Sequence, residues 1–258
     1  MKNVKIIIAS HKPYQMPSDI CYLPLHVGKN GKEGFGYRGD DTGENISWKN
    51  PNYCELTGLY WAWKNLDVDY LGLVHYRRHF SAKPWWVWLI KGKENCILND
   101  REVQKLLKTT DIVLPKKRNY IIESVYEHYC HTHYPEPLYE TQKILSERYP
   151  DMLPAFEQIM RRRTAHMFNM YIMKKELSDE DCEFLFDVLE ELETRIDITD
   201  YSPFQARVYG RISELLLDVW VLHKGYSYKE IPLMHMEKVN WLEKAYKMLY
   251  SKFANKYY

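Results

Sequence analysis

Cationic side chains gather where three apolar runs stop. His11-Lys12 follow the run Val4 to Ala9, His75-Tyr76-Arg77-Arg78 follow Tyr70 to Val74, and Lys116-Lys117-Arg118 follow Asp111 to Leu114. A guanidinium binds phosphate oxygens as a bidentate fork, and an ammonium binds them as a point charge. The set points to a phosphorylated ligand. Carboxyl groups able to move a proton stand at Asp40, Asp41 and Glu214, and Glu55 could instead orient a ligand hydroxyl. His128, His131 and His133 have spacing compatible with a three-ligand zinc site. No acidic or Cys ligand completes that site at a recognised spacing, so a polar segment lining the ligand cleft is the favoured reading.

The elements that must position these groups follow from hydrophobic periodicity. Val4 to Ala9 is continuously apolar, as a strand buried on both faces should be. Tyr70 to Val74 and Asp111 to Leu114 read as further strands. Pro51 to Leu66 reads as a helix, with Leu56, Leu59, Tyr60 and Trp63 on one face. Asp100 to Lys108 reads as a crossover helix. Strands alternating with helices imply an α/β fold around a parallel sheet. Ligands of such sheets bind at the carboxyl ends of the strands, where the three cationic groups would meet. Residues 28 to 50 are rich in Gly, Asp, Asn and Lys and read as a long loop of the functional kind. The stretch 120 to 164 is expected to be helical and His166 to Met173 a strand. Glu176 to Arg195 and Phe204 to Leu222 are expected helices, and Tyr226 to Ile231 a last strand.

Composition narrows the function. The 258 residues suit one domain, and the formal net charge of +1 argues against a general nucleic-acid binder. The chain holds 22 Tyr and 8 Trp, flat amphipathic side chains that suit sugar faces as well as core and rim. Five cysteines without a CxxC pair indicate a reduced, cytoplasmic setting. No apolar run reaches the length of a membrane span, and the N-terminus reads as a strand rather than a signal peptide. Residues 1–237 therefore read as one domain and 238–258 as a basic amphipathic helix. In that helix Trp241, Leu242, Ala245, Met248, Leu249 and Phe253 share a face, ringed by Lys244, Lys247, Lys252 and Lys256. It either lies on an anionic membrane surface or packs on the domain. Trp85, Trp86 and Trp88, in an expected loop, suggest an interfacial anchor or an aromatic acceptor platform, with core packing as the competing explanation.

The stretch from Asp40 to Ser47, then Cys54-Glu55-Leu56-Thr57-Gly58-Leu59-Tyr60-Trp61-Ala62-Trp63-Lys64-Asn65, pairs with Leu71-Gly72-Leu73-Val74-His75-Tyr76-Arg77-Arg78. Together they resemble a bacterial family from capsular and exopolysaccharide gene clusters. That family was formerly catalogued as a domain of unknown function and is now regarded as glycosyltransferases. Phe168 to Met173 and Arg207 to Glu214 resemble its later motifs, so the resemblance spans about residues 4 to 237. It implies a GT-A-like nucleotide-diphospho-sugar transferase fold with a mostly parallel central sheet flanked by helices. It also implies transfer of a hexose, galactofuranose or galactose, from a UDP-sugar onto a lipid-linked oligosaccharide. Capsule, exopolysaccharide or O-antigen synthesis would follow, peripheral on the inner face of the plasma membrane. The alternative is a non-catalytic sugar-nucleotide or polysaccharide-binding protein on the same fold.

Within that resemblance, His11, Lys12, Asn45, Glu55, Lys64, His75, Arg77 and Arg78 are expected to bind the donor. His166, Asn169, Arg207 and Arg211 are expected to bind the acceptor. Glu214 is the first choice for the catalytic base, with Asp40 and Asp41 next; the competing role of Glu214 is an ion pair with Arg211 at i, i+3. Many GT-A enzymes hold a divalent metal with Asp-x-Asp after a central strand. Here that strand ends in His75-Tyr76-Arg77-Arg78. A metal-independent clamp of Arg and Lys is therefore favoured, and Mn or Mg held by Asp40-Asp41 with help from His75 is the alternative.

Overall fold

The computed structural model describes residues 1–237. The basic helix expected at 238–258 lies outside the described residues. The chain opens with β1 (Val4–Ser10), β2 (Tyr22–His26) and β3 (Arg38–Gly39), followed by α1 (Asn50–Tyr53) and α2 (Leu56–Asn65). Next come β4 (Tyr70–His75), β5 (Arg78–Phe80), α3 (Trp85–Lys91), α4 (Asp100–Leu106), β6 (Ile112–Pro115) and β7 (Arg118–Asn119). Three helices follow, α5 (Val125–Thr132), α6 (Glu136–Arg148) and α7 (Leu153–Arg161). The described chain ends with β8 (Thr164–Ala165), β9 (Tyr171–Lys174), α8 (Lys175–Arg195), α9 (Val208–Lys224), β10 (Lys229–Ile231) and β11 (Leu233–His235).

The main sheet has the order β3-β2-β1-β4-β9-β6-β10. Along that order it is parallel except at β9, which runs antiparallel to both β4 and β6, and β5 and β11 branch from β4 as antiparallel strands. This is the mostly parallel α/β architecture expected of a GT-A-like fold. β1 explains its own burial. Ile7 and Ala9 join the core under α2, α8 and α9, while Ile6 and Ile8 join a second core with Leu98, Val103 and Leu107 beside α4. Alternate side chains of a strand face opposite sides, so a strand covered on both must be apolar throughout. α2 lies very close to the sheet: a Cβ on Gly58 would stand 2.8 Å from Val27 and 3.1 Å from Leu25.

The local departures from expectation have physical causes. The helix expected over Pro51 to Leu66 breaks at Cys54, which adopts φ 54 and ψ −128. Tyr53 stacks on Tyr209 at 4.7 Å, whereas Leu56 and Leu59 pack into the core under the sheet. Asn50 Nδ2 donates to the Cys54 carbonyl at 2.7 Å and satisfies the broken turn. The strand expected from His166 starts only at Tyr171, because Phe168 and Asn169 turn the chain with φ 75 and 52. The expected Phe204 helix begins at Val208, and the Trp-rich run is a helix, α3, rather than a loop. No helix among the described residues is long and apolar enough to cross a membrane.

Candidate active site

A cleft of about 720 Å³ opens where β1 and β4 end. One wall carries His11 and the hairpin His75 to Arg78 between β4 and β5. A second is helical, with His128, Thr132 and His133 from α5 and Arg207, Arg211 and Glu214 from the start of α9. Cys54, Glu55 and Phe168 fill in between, with Arg118 and Tyr120 alongside. Five arginines (77, 78, 118, 207 and 211) face two glutamates (55 and 214). The excess positive charge focuses an attractive field on an anionic ligand.

Three of the arginines are held by neighbouring residues of the cleft wall. The Arg78 guanidinium lies 4.1 Å over the Phe168 ring, and its Nε has no protein partner among the described residues. Arg207 Nε donates to Cys54 Sγ at 3.0 Å. Arg211 donates to the Phe204 carbonyl, to Gln205 Oε1 at 3.0 Å and to His133 Nδ1 at 2.9 Å. Burial first, and the neighbouring Arg207 next, pull its pKa down to about 10, so it stays charged at neutral pH. His133 stays neutral, because burial and then Arg211 push it down to about 3.

The two carboxyl groups are held differently. Glu55 accepts from Asn169 Nδ2 at 2.8 Å. Asn169 Nδ2 also donates to the Gly210 carbonyl at 3.0 Å, and its Oδ1 accepts from Ser213 Oγ at 2.9 Å. Glu214 carries its proton through neutral pH. Burial foremost, then the charge of Glu55, raise its pKa to about 8 against the opposing pull of Arg78, the Phe168 N–H and Arg118. His75 Nε2 donates to the Phe168 carbonyl at 2.7 Å, which sets the tautomer, and burial lowers its pKa. Cys54, Phe168 and Asn169 are three of the four non-glycine residues with positive φ among the described residues. Backbone strain of this kind concentrates where function requires a fixed side-chain direction.

Residues 5–225 match the family described as a domain of unknown function, DUF4422. The chain belongs to that family. A solved structure described as the WbbM bifunctional glycosyltransferase in its apo form matches with a TM-score of 0.83 at 32% identity. The match covers 92% of this chain and 46% of that one, so the present chain spans less than half the length of its structural relative. No curated protein matches the chain.

In this DUF4422 chain, eight of the residues expected at the site share the cleft: His11, Glu55, His75, Arg77, Arg78, Arg207, Arg211 and Glu214. Asn169 stands behind Glu55, and Lys12 stacks over the Tyr76 ring at 5.2 Å without lining the cleft. Five others lie in the scaffold. Asp40 is fully buried and accepts from the Gly28 and Lys29 N–H groups and from the Ser47 and Thr57 hydroxyls. It pins the 28–47 segment to α2 and has no oxygen left for a metal or an acceptor. Asp41 pairs with Lys29 at 3.0 Å. Asn45 closes a turn by donating to the Gly43 carbonyl and accepting from the Ser47 N–H. Lys64 covers the Trp63 ring at 3.5 Å. His166, expected at the acceptor, is buried between Asp218 and Glu230.

The donor set for Mn or Mg built on Asp40, Asp41 and His75 therefore does not fit. Nor do the three histidines of α5 and its end form a ligand set. His128 and His131 both turn Nδ1 to Glu123, and no group of three His, Cys, Asp or Glu among the described residues has metal-ligand geometry. His128, Thr132 and His133 come from the stretch expected to line the cleft, whereas Cys54, Tyr120 and Phe204 line it without having been expected there. Phe204 lies just ahead of the Arg207 motif, which is the one signal that pointed toward it.

Proposed function

We propose that the protein is a glycosyltransferase that moves a hexose, galactofuranose or galactose, from a UDP-sugar onto a lipid-linked oligosaccharide of a bacterial surface polysaccharide. The observation that carries this reading is the five-arginine cleft at the carboxyl ends of β1 and β4. A 32%-identical relative described as a bifunctional glycosyltransferase supports the reaction class. In this reading Arg77 and Arg78 clamp the donor diphosphate without a metal, because preorganised guanidinium groups stabilise the charge that develops on the leaving phosphate. Arg207 and Arg211 hold the acceptor. Glu214, protonated at neutral pH, donates a hydrogen bond to the sugar and acts as a base only in alkaline solution.

A position at the cytoplasmic membrane face agrees with α3. That helix leaves Trp85 at 65%, Trp86 at 53%, Leu89 at 76% and Ile90 at 74% exposure. Lys93 donates to the His235 and Met236 carbonyls, which ties residues 235 and 236 to the segment just after α3. Aromatic and aliphatic side chains next to lysines suit a lipid interface.

The test incubates the purified chain with UDP-galactose, UDP-galactofuranose and UDP-glucose, with and without a lipid-linked acceptor, and measures UDP release. Release with one donor, stimulated by acceptor and unchanged by EDTA, is expected. UDP binding without turnover of any of the three would replace the transferase by a sugar-nucleotide-binding protein.

A further inference from the structure

Glu123 closes on two histidines. It is 2% exposed, in the turn before α5, and its two oxygens accept from His128 Nδ1 and His131 Nδ1, each at 3.0 Å. Burial pushes the carboxyl up, but the hydrogen bonds from His131 and His128 outweigh it and hold it below the usual carboxylate range. An ionised carboxylate only accepts, so each Nδ1 carries the hydrogen. For His128 this leaves the lone pair of the neutral ring on Nε2. The ring lies 4.2 Å from that of Tyr120 and lines the cleft on its helical wall.

We propose that Glu123 and His128 form a carboxylate–histidine dyad in which His128 Nε2 takes the proton of the attacking acceptor hydroxyl. This rests on the transferase reading above and names the proton acceptor that it lacks at neutral pH. As the hydroxyl proton passes to Nε2, the hydroxyl oxygen bonds to the anomeric carbon. The bond from that carbon to the diphosphate breaks, and its electron pair leaves on the diphosphate. Glu123 remains ionised, keeps the Nδ1 hydrogen in place and stabilises the imidazolium that forms.

The protonation states suit the roles. Burial lowers the His128 pKa most, Arg118 and His131 lower it further, and Glu123 opposes them. The ring is thus a free base at pH 7, where Glu214 still holds its proton. Arg118 from β7, Glu123 before α5 and His131 on α5 are the charged and titratable groups that act on the ring, and His133 at the end of α5 couples to it weakly. In the donor complex the diphosphate offsets Arg118, which favours the imidazolium when the proton arrives.

The experiment compares wild type with H128Q and E123Q. It follows UDP release from whichever of the three UDP-hexoses wild type turns over, across pH 5 to 9, and UDP binding by calorimetry. Histidine ¹⁵N spectra are recorded on wild type. H128Q is expected to lose about 10²- to 10⁴-fold in UDP release, with UDP affinity held within about twofold, roughly the resolution of a 0.4 kcal/mol difference. E123Q is expected to lose less and to move the acidic limb of the rate profile to lower pH, because the charge that raises the His128 pKa is gone. The spectra are expected to show His128 protonated on Nδ1 and bare on Nε2. Normal turnover in H128Q, an unmoved acidic limb in E123Q, or the opposite tautomer each overturns the dyad while leaving the transferase standing. A wild type that binds UDP but turns over none of the donors removes the transferase reading itself, and the dyad's role with it.

Discussion

Asn169 holds Glu55 from behind the cleft: its Nδ2 donates to Glu55 Oε1 at 2.8 Å, from a backbone turned to φ 52. The same side chain receives Ser213 and reaches Gly210, so one amide ties the carboxyl that precedes α2 to α9. Asn169→Ala removes three hydrogen bonds in a buried place and takes the amide donor from Glu55, while Ser213 Oγ keeps its bond to the Gly210 carbonyl at 2.9 Å. A loss of about 1–3 kcal/mol is expected in urea unfolding. Transfer activity should fall by more than stability alone explains, because Glu55 loses its direction. Full activity in a folded Asn169→Ala protein would show that the direction of Glu55 is irrelevant.

Asp40 tests the division between scaffold and site. Asp40→Ala strands two backbone N–H groups and two hydroxyls, and a loss on the order of 3 kcal/mol or more is expected. Protein that remains folded in the cold should bind UDP normally and show no change in its response to Mn²⁺. A large loss of UDP affinity in folded Asp40→Asn would return this residue to the site.

Glu214 makes stability depend on pH in a direction unusual for a carboxyl group. Its folded pKa, about 8, lies above its ordinary value of 4.5. Between those values the native state binds the proton and the unfolded state does not, so this group's contribution to stability falls as pH rises from about 4.5 to 8 and then levels off. Glu214→Gln removes the effect. The unfolding midpoint of the variant should gain on wild type steadily across that window and hold its lead above it. Parallel midpoints from pH 5 to 9 would contradict the raised pKa.

The arginines differ in what they are free to bind. Arg211 already spends its N–H groups on Phe204, Gln205 and His133, whereas Arg78 Nε has no protein partner among the described residues. Arg78→Ala should weaken UDP binding by about 10- to 100-fold, the worth of a charge-assisted bond. Arg211→Ala should act mainly on acceptor KM and on stability. Calorimetry with UDP separates the two, and equal losses of UDP affinity would mean that both touch the donor.

The exposed face of α3 supplies a surface test. Trp85→Ser with Trp86→Ser removes no buried contact, so the unfolding midpoint should stay within the usual ±0.5 kcal/mol of a surface change. Co-sedimentation with vesicles rich in phosphatidylglycerol should drop. Unchanged vesicle binding would remove α3 from the interface.

Much of this was legible from residue order. The continuous apolar runs of β1, β4 and β6 announced a sheet covered on both faces, and the cations after β1 and β4 announced the edge where the cleft opens. Glu214 and Arg211 were found through one short motif on α9. Periodicity was silent where tertiary contacts overrode it. Nothing local shows that Cys54 breaks a helix, and the contact made just before the break, Tyr53 on Tyr209, reaches far along the chain. Asp40 looked like a metal ligand because composition cannot tell a carboxyl that faces a cleft from one that is encircled by N–H and hydroxyl groups. His128 was expected to line the cleft and does, but its partner Glu123, five residues earlier, has no spacing that marks the pair.

β9 stands at the centre of the sheet, yet it is made after β1 to β8. Until Lys174 leaves the ribosome, β4 and β6 each present a bare apolar edge where β9 will lie. At about 5–20 residues per second the wait lasts seconds, long enough for unpaired edges to find other chains. Slow translation before residue 171, or a break in the chain there, should therefore show first as aggregation during expression rather than as a change in the cleft.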